Sequence, residues 1–242
     1  DGKLPVEKVK ELILVPTTCG TGTEATNISI LALVSRRTKK GLANDAMYAD
    51  QAVLIPELLG GLPFRFFATS SIDALIHAIE SSLSPKANPI TKLFGYRAIE
   101  MILKGYQAIQ KDGPDARLPL LGDFLLASNF AGIAFGNAGC AAVHALAYAL
   151  SRHGVPHGVA NALLFAPVME ETLPDIRARL PEYEAIRALI QELPLPGIGQ
   201  YGLSPADIPS LAEYALLQQR LLKNHPAPVD LACASRIFQR LF

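Results

Sequence analysis

The spacing of hydrophobic positions changes near residue 60 of the chain. Before that point, short apolar runs bounded by proline, glycine and threonine predict strands at residues 11–16, 27–34 and 51–56, the first of them buried. Beyond it, apolar residues recur at helical spacing. This second pattern predicts helices at residues 69–83, 88–110, 118–134, 139–152, 158–172, 181–192, 204–223 and 229–241. The predicted fold class is therefore an α/β remnant at residues 1–62 followed by an all-helical domain at residues 63–242.

Composition narrows the classes of partner. The chain has 242 residues, half of them hydrophobic, with 22 basic and 22 acidic side chains. Because it has no net charge and no basic stripe, nucleic acid is not an expected partner. No apolar run approaches the roughly 18 residues of a membrane span, so we expect no membrane partner either. Three widely spaced cysteines without a CxxC motif fit a reducing, cytoplasmic setting.

The predicted helix 69–83 contains the segment SSIDALIHAIE, with a cap expected at Thr69 or Ser70. Asp73 and His77 are four residues apart, so they project from one helix face. The neighbouring positions are apolar almost all round, which predicts a buried helix. A buried carboxylate beside a buried imidazole needs a strong partner to offset its desolvation.

Two further histidines occur in similar apolar surroundings, His144 in AAVHALAYAL and His157 in GVPHGVANALLF. One carboxylate and three imidazoles form a donor set suited to Zn²⁺ or Fe²⁺. The alternative is that these are core histidines satisfied by ordinary hydrogen bonds. The spacing alone leaves both interpretations open.

The segment TTCGTGTEAT, residues 17–26, directly follows the first predicted strand. Its glycines and hydroxyl groups suit a phosphate or a ribose, although a simple turn is the alternative. Beyond the second predicted strand lies a basic cluster of Arg36, Arg37, Lys39 and Lys40. Such a cluster is typical of a solvated loop.

Three ordered segments, PTTCGTGTEAT, SSIDALIHAIE and VHALAYALSRHGVPHGVANALL, resemble signatures of the iron-containing alcohol dehydrogenases. Within that family the chain is most similar to the 4-hydroxybutyrate branch, through residues 26–63 and NFAGIAFGNAG. The resemblance implies a nucleotide-binding α/β domain, a helical metal-binding domain and a homodimer or higher homo-oligomer. It also implies a divalent metal, Fe²⁺ or Zn²⁺, and NAD(H) or NADP(H) as cofactors.

The resemblance also assigns roles to individual residues. The expected metal ligands are Asp73, His77, His144 and His157. The expected cofactor-binding residues are Thr17, Thr18, Gly20, Gly22 and Lys40. Tyr148, one helical turn beyond His144, is the candidate proton relay, with a core tyrosine as the alternative.

The implied reaction is hydride transfer between a nicotinamide cofactor and a small alcohol or aldehyde, with 4-hydroxybutyrate and succinate semialdehyde expected. In that case a cation of the basic cluster is a candidate for binding the substrate carboxylate. A general iron-dependent or glycerol dehydrogenase-like enzyme is one alternative. The family's glycine-rich pyrophosphate loop precedes the PTT segment, and this chain begins too late to contain it. We therefore expect this chain by itself to bind metal without turning over substrate.

Overall fold

The computed structural model describes residues 6–33 and 38–242, with only the backbone described at residues 32, 33 and 38–40. Short strands come first and helices follow, as predicted. Within the described residues the helices are α1 (Phe64–Leu83), α2 (Pro89–Asp112), α3 (Leu121–Ala138), α4 (Ala142–Ser151), α5 (His157–Thr172), α6 (Ile176–Arg179), α7 (Tyr183–Glu192), α8 (Ile208–Leu216), α9 (Gln219–Leu222) and α10 (Leu231–Gln239). The division into domains at residue 62 stays a prediction.

Two small sheets form the first part of the chain. Strand β1 (Ile13–Leu14) pairs in parallel with β4 (Gln51–Ala52), and β2 (Ile28–Leu33) pairs antiparallel with β3 (Thr38–Ala43). The prediction of a buried strand at residues 11–16 is wrong, since β1 has two residues and Ile13 is half exposed. An apolar run indicates a strand but does not specify what covers it.

Strand β3 was not predicted, because its sequence TKKGLA has low strand propensity. Its register with β2 places Ile30 opposite Gly41 and Leu31 opposite Lys40. Cross-strand pairing therefore decides the conformation here. Arg36 and Arg37 of the basic cluster lie outside the described residues. For Lys39 and Lys40 the structure describes only the backbone, as part of this strand.

Helix α1 begins at Phe64, five residues before the predicted start. The predicted cap at Thr69 or Ser70 is wrong, because both hydroxyls lie inside the helix and donate to carbonyls of the preceding turn. Phe67 is fully buried and extends the apolar face toward the N-terminus. The helix packs against α2, α3 and α5, which explains why it is buried on nearly every side.

One segment, Pro114–Ala138, is long and apolar enough to cross a membrane by length and composition alone. Half of its most apolar window is buried in the fold. Helix α3 forms most of this segment and packs against both α1 and α2. Its apolar side chains are thus explained by packing in the core that the helices form.

The predicted helix 204–223 is interrupted. Ser204 and Asp207 form the expected capping box, but the chain leaves α8 after Leu216 and restarts as the single turn α9. This break lets α9 fold back against α4. Apart from the start of α1, the other predicted helices agree with the observed ones to within four residues at each end.

Candidate metal centre and cofactor loop

A buried glutamate to which the sequence analysis assigned no role, Glu80, orients His144. Glu80 is 1% exposed, and its Oε2 accepts hydrogen bonds from His144 Nδ1 at 2.6 Å and Ala141 N at 2.9 Å. Its Oε1 accepts a hydrogen bond from Val143 N at 2.7 Å. Because a carboxylate only accepts, His144 carries its proton on Nδ1, and the Nε2 lone pair faces away from Glu80. The sequence did contain a signal for Glu80. It follows Asp73 by seven residues, which places both carboxylates on one helix face.

Asp73 is the centre of the candidate site. Its Oδ1 lies 3.5 Å from His144 Nε2 and 3.8 Å from His157 Nε2. It also accepts a 2.6 Å hydrogen bond from Asn161 Nδ2, and this nitrogen lies 3.2 Å from His157 Nε2. Asn161 was also missed in the sequence, although it lies one turn after His157 on α5. Three elements, α1, α4 and α5, therefore bring donor atoms to one point.

The spacing of these donors fits a divalent cation. Two ligands bound to a tetrahedral metal at about 2.1 Å lie about 3.4 Å apart. The 3.5 Å separation of Asp73 Oδ1 and His144 Nε2 is close to that value and long for a hydrogen bond. His144 Nε2 is also buried without a hydrogen-bond partner among the described residues. A buried nitrogen that faces a carboxylate at this distance, with no hydrogen-bond partner, fits a divalent cation bound between the two.

One hydrogen bond and two ring contacts fix the His77 imidazole. Its Nδ1 donates to the Gly20 carbonyl at 3.2 Å, so the segment 17–26 holds this imidazole in place. Its ring stacks on both His144 and Phe135, each with a centroid distance of 4.4 Å. The predicted four-residue set thus separates into two overlapping groups that share His144. One group contains Asp73 and His157, and the other contains His77 and Cys140.

Cys140, to which the sequence analysis assigned no role, lies next to the candidate ligands. Here its thiol lies with His77 and His144 in a group whose ligand atoms are within 4.8 Å of one another. Burial raises the pKa of the Cys140 thiol well above its ordinary value. The protonated form is therefore favoured, and thiolate is the form that binds metal. The described geometry supports Asp73 as the better anionic donor.

The surroundings of the site shift the pKa values of two of its imidazoles, His77 and His144, in opposite directions. Burial lowers the pKa of His77 to about 4, so this ring is neutral. Burial alone would also lower the pKa of His144, but the carboxylates of Asp73 and Glu80 on either side of the ring raise it to about 9. A cation bound at Nε2 would take the place of the second proton. Burial opposes ionisation of Asp73, yet the facing imidazoles hold its pKa well below the ordinary value. The site therefore keeps an ionised carboxylate in a buried position and concentrates positive charge beside it.

The two glycines predicted to bind cofactor are packed against helices. A Cβ on Gly20 would lie 2.5 Å from the Ser70 carbonyl oxygen of α1. A Cβ on Gly22, whose φ is 54°, would lie 2.5 Å from the Ser128 carbonyl oxygen of α3. Glycine is required at both positions for close approach, and at Gly22 also for backbone conformation. A direct contact of these glycines with a cofactor stays a prediction.

The hydroxyl groups of the same segment are more accessible. Thr17 is exposed and Thr18 is half-buried. Both line a surface cavity of about 230 Å³ between β1 and the turn at Glu24. Thr21 and Thr23 line this cavity and also the cavity at the metal ligands. The loop therefore connects the predicted cofactor surface to the candidate metal centre.

A second cavity, of about 150 Å³, opens onto the candidate metal ligands. All four predicted ligands line it, together with Tyr148. The Tyr148 ring centroid lies 6.0 Å from that of His157, and burial raises the pKa of this tyrosine to about 12. At neutral pH it is therefore a hydrogen-bond donor, and its role as a proton relay stays a prediction.

Sequence comparisons agree with this architecture. The C-terminal domain profile of the Fe-containing alcohol dehydrogenase family matches residues 67–186, and the iron-containing alcohol dehydrogenase profile matches residues 1–56. A 4-hydroxybutyrate dehydrogenase from Clostridium kluyveri is 42% identical over the whole chain, which covers 71% of that relative. The chain belongs to the iron-containing alcohol dehydrogenase family. The family resemblance seen in the motifs is thereby confirmed.

Two further proteins are similar to the chain at lower identity. A sulfoacetaldehyde reductase from Bilophila wadsworthia is 34% identical over 88% of the chain, which covers 61% of that relative. The crystal structure of a 1,3-propanediol oxidoreductase superimposes with a TM-score of 0.86 at 26% identity, covering 98% of this chain and 68% of the other. The predicted fold class is confirmed. The chain thus spans between 61 and 71% of the length of these curated relatives.

Proposed function

We propose that the enzyme containing this chain transfers a hydride between a nicotinamide cofactor and a small ω-hydroxy acid, with 4-hydroxybutyrate and succinate semialdehyde as the substrate pair. The observation that carries the proposal is the cavity in which Asp73, His144 and His157 converge. The similarity to 4-hydroxybutyrate dehydrogenase supports the substrate class. The similar sulfoacetaldehyde reductase supports it too, because sulfoacetaldehyde is an aldehyde that carries an anionic group.

In this proposal Asp73, His77, His144 and His157 hold a divalent cation, with Fe²⁺ and Zn²⁺ both suited to the donors. When bound, the cation supplies Lewis acidity toward an alcohol or carbonyl oxygen, and the nicotinamide cofactor carries the hydride. The residues of this chain position those groups. Glu80 fixes the tautomer of His144, and the Gly20 carbonyl fixes that of His77.

The walls of the cavity provide the rest of the environment. Phe135 stacks on His77, and Leu221 and two isoleucines of β2 add apolar surface. Such a lining excludes water and strengthens electrostatic interactions inside the cavity. Thr17 and Thr18 present their hydroxyl groups on the adjoining loop, where we place the nicotinamide cofactor. Lys40 belongs to the same proposal, since its strand pairs with β2 beside the cavity.

The substrate is tested on the complete gene product with two aldehydes of the same skeleton. Succinate semialdehyde should be reduced with a kcat/KM about ten- to a hundredfold above that of butanal, because a charge-assisted contact favours the carboxylate. Consumption of the reduced nicotinamide is followed by absorbance. Equal values for the two aldehydes would reduce the activity to that of a general alcohol dehydrogenase.

The metal assignment is tested separately by elemental analysis. Protein purified without chelator should contain near-stoichiometric iron or zinc. The double variant Asp73→Ala, His77→Ala should lose more than half of it, because two donors of the set are removed. The matched control is Asp123→Ala, His153→Ala, which removes the same two residue types from exposed positions. Retention of most of the metal in the first variant would reject this ligand set.

A further inference from the structure

The candidate cavity contains a cation that the sequence did not indicate. Arg220 lies on the single turn α9, which folds back against α4 after the break that follows α8. Its side chain lines the same cavity as Asp73, His144 and His157. Among the described residues that line this cavity, Arg220 is the sole lysine or arginine.

The backbone of Arg220 is anchored. The Asn224 side-chain amide donates to the Arg220 carbonyl at 3.3 Å and to the Cys140 carbonyl at 2.9 Å. This buried asparagine therefore ties α9 to the residues that precede α4 and its histidine. The position of Arg220 relative to the candidate metal ligands is thus defined by hydrogen bonds.

The guanidinium group extends toward the β2–β3 hairpin. Its Nη2 would lie 2.9 Å from a Cβ built on Gly41, and that Cβ would also lie 3.3 Å from the Ile30 side chain. The absence of a side chain at Gly41 makes room for the arginine. Helix α9 and the hairpin therefore confine the guanidinium group at the cavity.

No carboxylate of the described residues forms an ion pair with Arg220. By contrast Arg177, Arg179 and Arg236 each pair with an acidic side chain. A guanidinium has five N–H donors in a planar fork, and at Arg220 no described carboxylate engages them in an ion pair. That geometry matches a carboxylate, which binds it with two parallel hydrogen bonds.

Besides its ligand residues and the hydroxyl groups of Thr21, Thr23 and Tyr148, the cavity has an apolar wall that suits a short methylene chain. This apolar wall consists of Ile28, Ile30, Phe135 and Leu221. The cavity volume of about 150 Å³ corresponds to roughly five water molecules. A four-carbon molecule with one oxygen function and one carboxylate therefore matches the cavity in size and polarity.

We propose that Arg220 binds the carboxylate of the substrate and thereby selects ω-hydroxy acids and their semialdehydes over unsubstituted alcohols and aldehydes. This inference rests on the proposed function, because it assigns that substrate's charged group to a residue. It places the cation on α9 rather than in the basic cluster of residues 36–40.

The test compares Arg220→Gln and Arg220→Lys in the complete, metal-loaded enzyme, with succinate semialdehyde and butanal as substrates. The ratio of the two kcat/KM values should fall by ten- to a hundredfold in Arg220→Gln, because the charge-assisted hydrogen bonds are lost. Arg220→Lys should keep an intermediate ratio, since it retains the charge without the planar fork. Arg97→Gln is the matched control, because Arg97 is exposed on α2 and pairs with Glu100.

A second readout does not depend on turnover. Calorimetric titration with succinate, a four-carbon dicarboxylate, should show weaker binding in Arg220→Gln and unchanged binding in Arg97→Gln. Addition of ethylguanidinium to Arg220→Ala should restore part of the preference for succinate semialdehyde, whereas a loss through misfolding would not respond.

The outcomes distinguish this inference from the proposed function. If the wild-type enzyme shows no preference for the semialdehyde, the proposed function fails and the role of Arg220 fails with it. If the wild type shows the preference and Arg220→Gln retains it, only the role of Arg220 is refuted. A raised KM for the nicotinamide cofactor with an unchanged aldehyde ratio would also refute it, by assigning the guanidinium to the cofactor.

Discussion

The substitution Glu80→Gln tests whether this buried carboxylate supports the site through charge and acceptor capacity. Glu80 accepts three hydrogen bonds, from Ala141 N, Val143 N and His144 Nδ1. Glutamine has nearly the same shape but only one acceptor oxygen. Its NH₂ group must therefore face at least one buried donor. The lower-cost orientation keeps the oxygen toward Ala141 and His144 and turns the NH₂ group toward Val143 N.

The magnitude follows from this geometry. One charge-assisted hydrogen bond is lost and one buried N–H is left unsatisfied, which costs about 1.5–3 kcal/mol of unfolding free energy. The remaining bonds to His144 and Ala141 become neutral and weaker. A partner of this kind behind a metal-bound histidine contributes about ten- to a hundredfold in metal affinity. We therefore expect both a less stable protein and weaker metal binding.

The pH dependence has a defined sign. Burial opposes ionisation of Glu80, but the hydrogen bond from His144 and the backbone donors hold its pKa below the ordinary value. The stabilisation by Glu80 is therefore fully present above the pKa of an unfolded glutamate, about 4.3. It is lost as the pH falls through the lower pKa of the folded state. The difference between wild type and Glu80→Gln should shrink accordingly in acid.

The assay is urea denaturation of metal-free protein in chelator, repeated at neutral and acidic pH, followed by metal titration. Glu100→Gln is the control, since its side chain is 66% exposed on α2 and its ion pair is at the surface. That change should alter stability by less than about 0.5 kcal/mol. Equal stability and equal metal affinity of the two variants at neutral pH would refute the role given to Glu80.

Two further predictions concern residues outside the ligand set. Gly22→Ala should lower the unfolding free energy by at least about 2 kcal/mol, because Gly22 has a positive φ and its added Cβ would meet the Ser128 carbonyl. Gly61→Ala is the control, since Gly61 has open space around it, and it should be near neutral in the same denaturation assay. His225 is buried and its Nε2 bonds to Thr172 Oγ1 at 2.8 Å, and burial lowers its pKa. Because the unfolded state then binds the proton more readily than the folded state, the unfolding free energy should fall as the pH drops below about 6.5. Replacement of His225 by glutamine should make the denaturation midpoint less dependent on pH between pH 7 and 5. An unchanged slope of midpoint against pH would contradict this.

The helices and their chemistry were largely predictable from the sequence. Apolar spacing depends on local geometry, so a repeat of three to four residues is visible without knowledge of neighbours. The same periodicity placed Asp73 and His77 on one face of α1. The capping residue Ser204 was predictable for a related reason, since a cap bonds to its own first turn.

The strands were less predictable, because their stability comes from partners distant in the sequence. Strand β3 forms against β2 despite lysines and a glycine of low strand propensity. The break between α8 and α9 also depends on tertiary packing, here of α9 against α4. Neither feature leaves a periodic signal in the local sequence.

The sequence by itself determined which residue types the site contains, and the tertiary structure decided how they meet. Asp73 and His77 share a helix, whereas their approach to His144 and His157 requires the packing of α1 with α4 and α5. Glu80, Asn161 and Arg220 acquire their roles only there. Glu80 bonds to groups 61 residues or more away, Asn161 bonds to Asp73, 88 residues away, and Arg220 faces the ligands across a cavity. Hydrogen bonds and desolvation act through space over a few ångströms, so the identity of a buried partner is not encoded in the spacing along the chain.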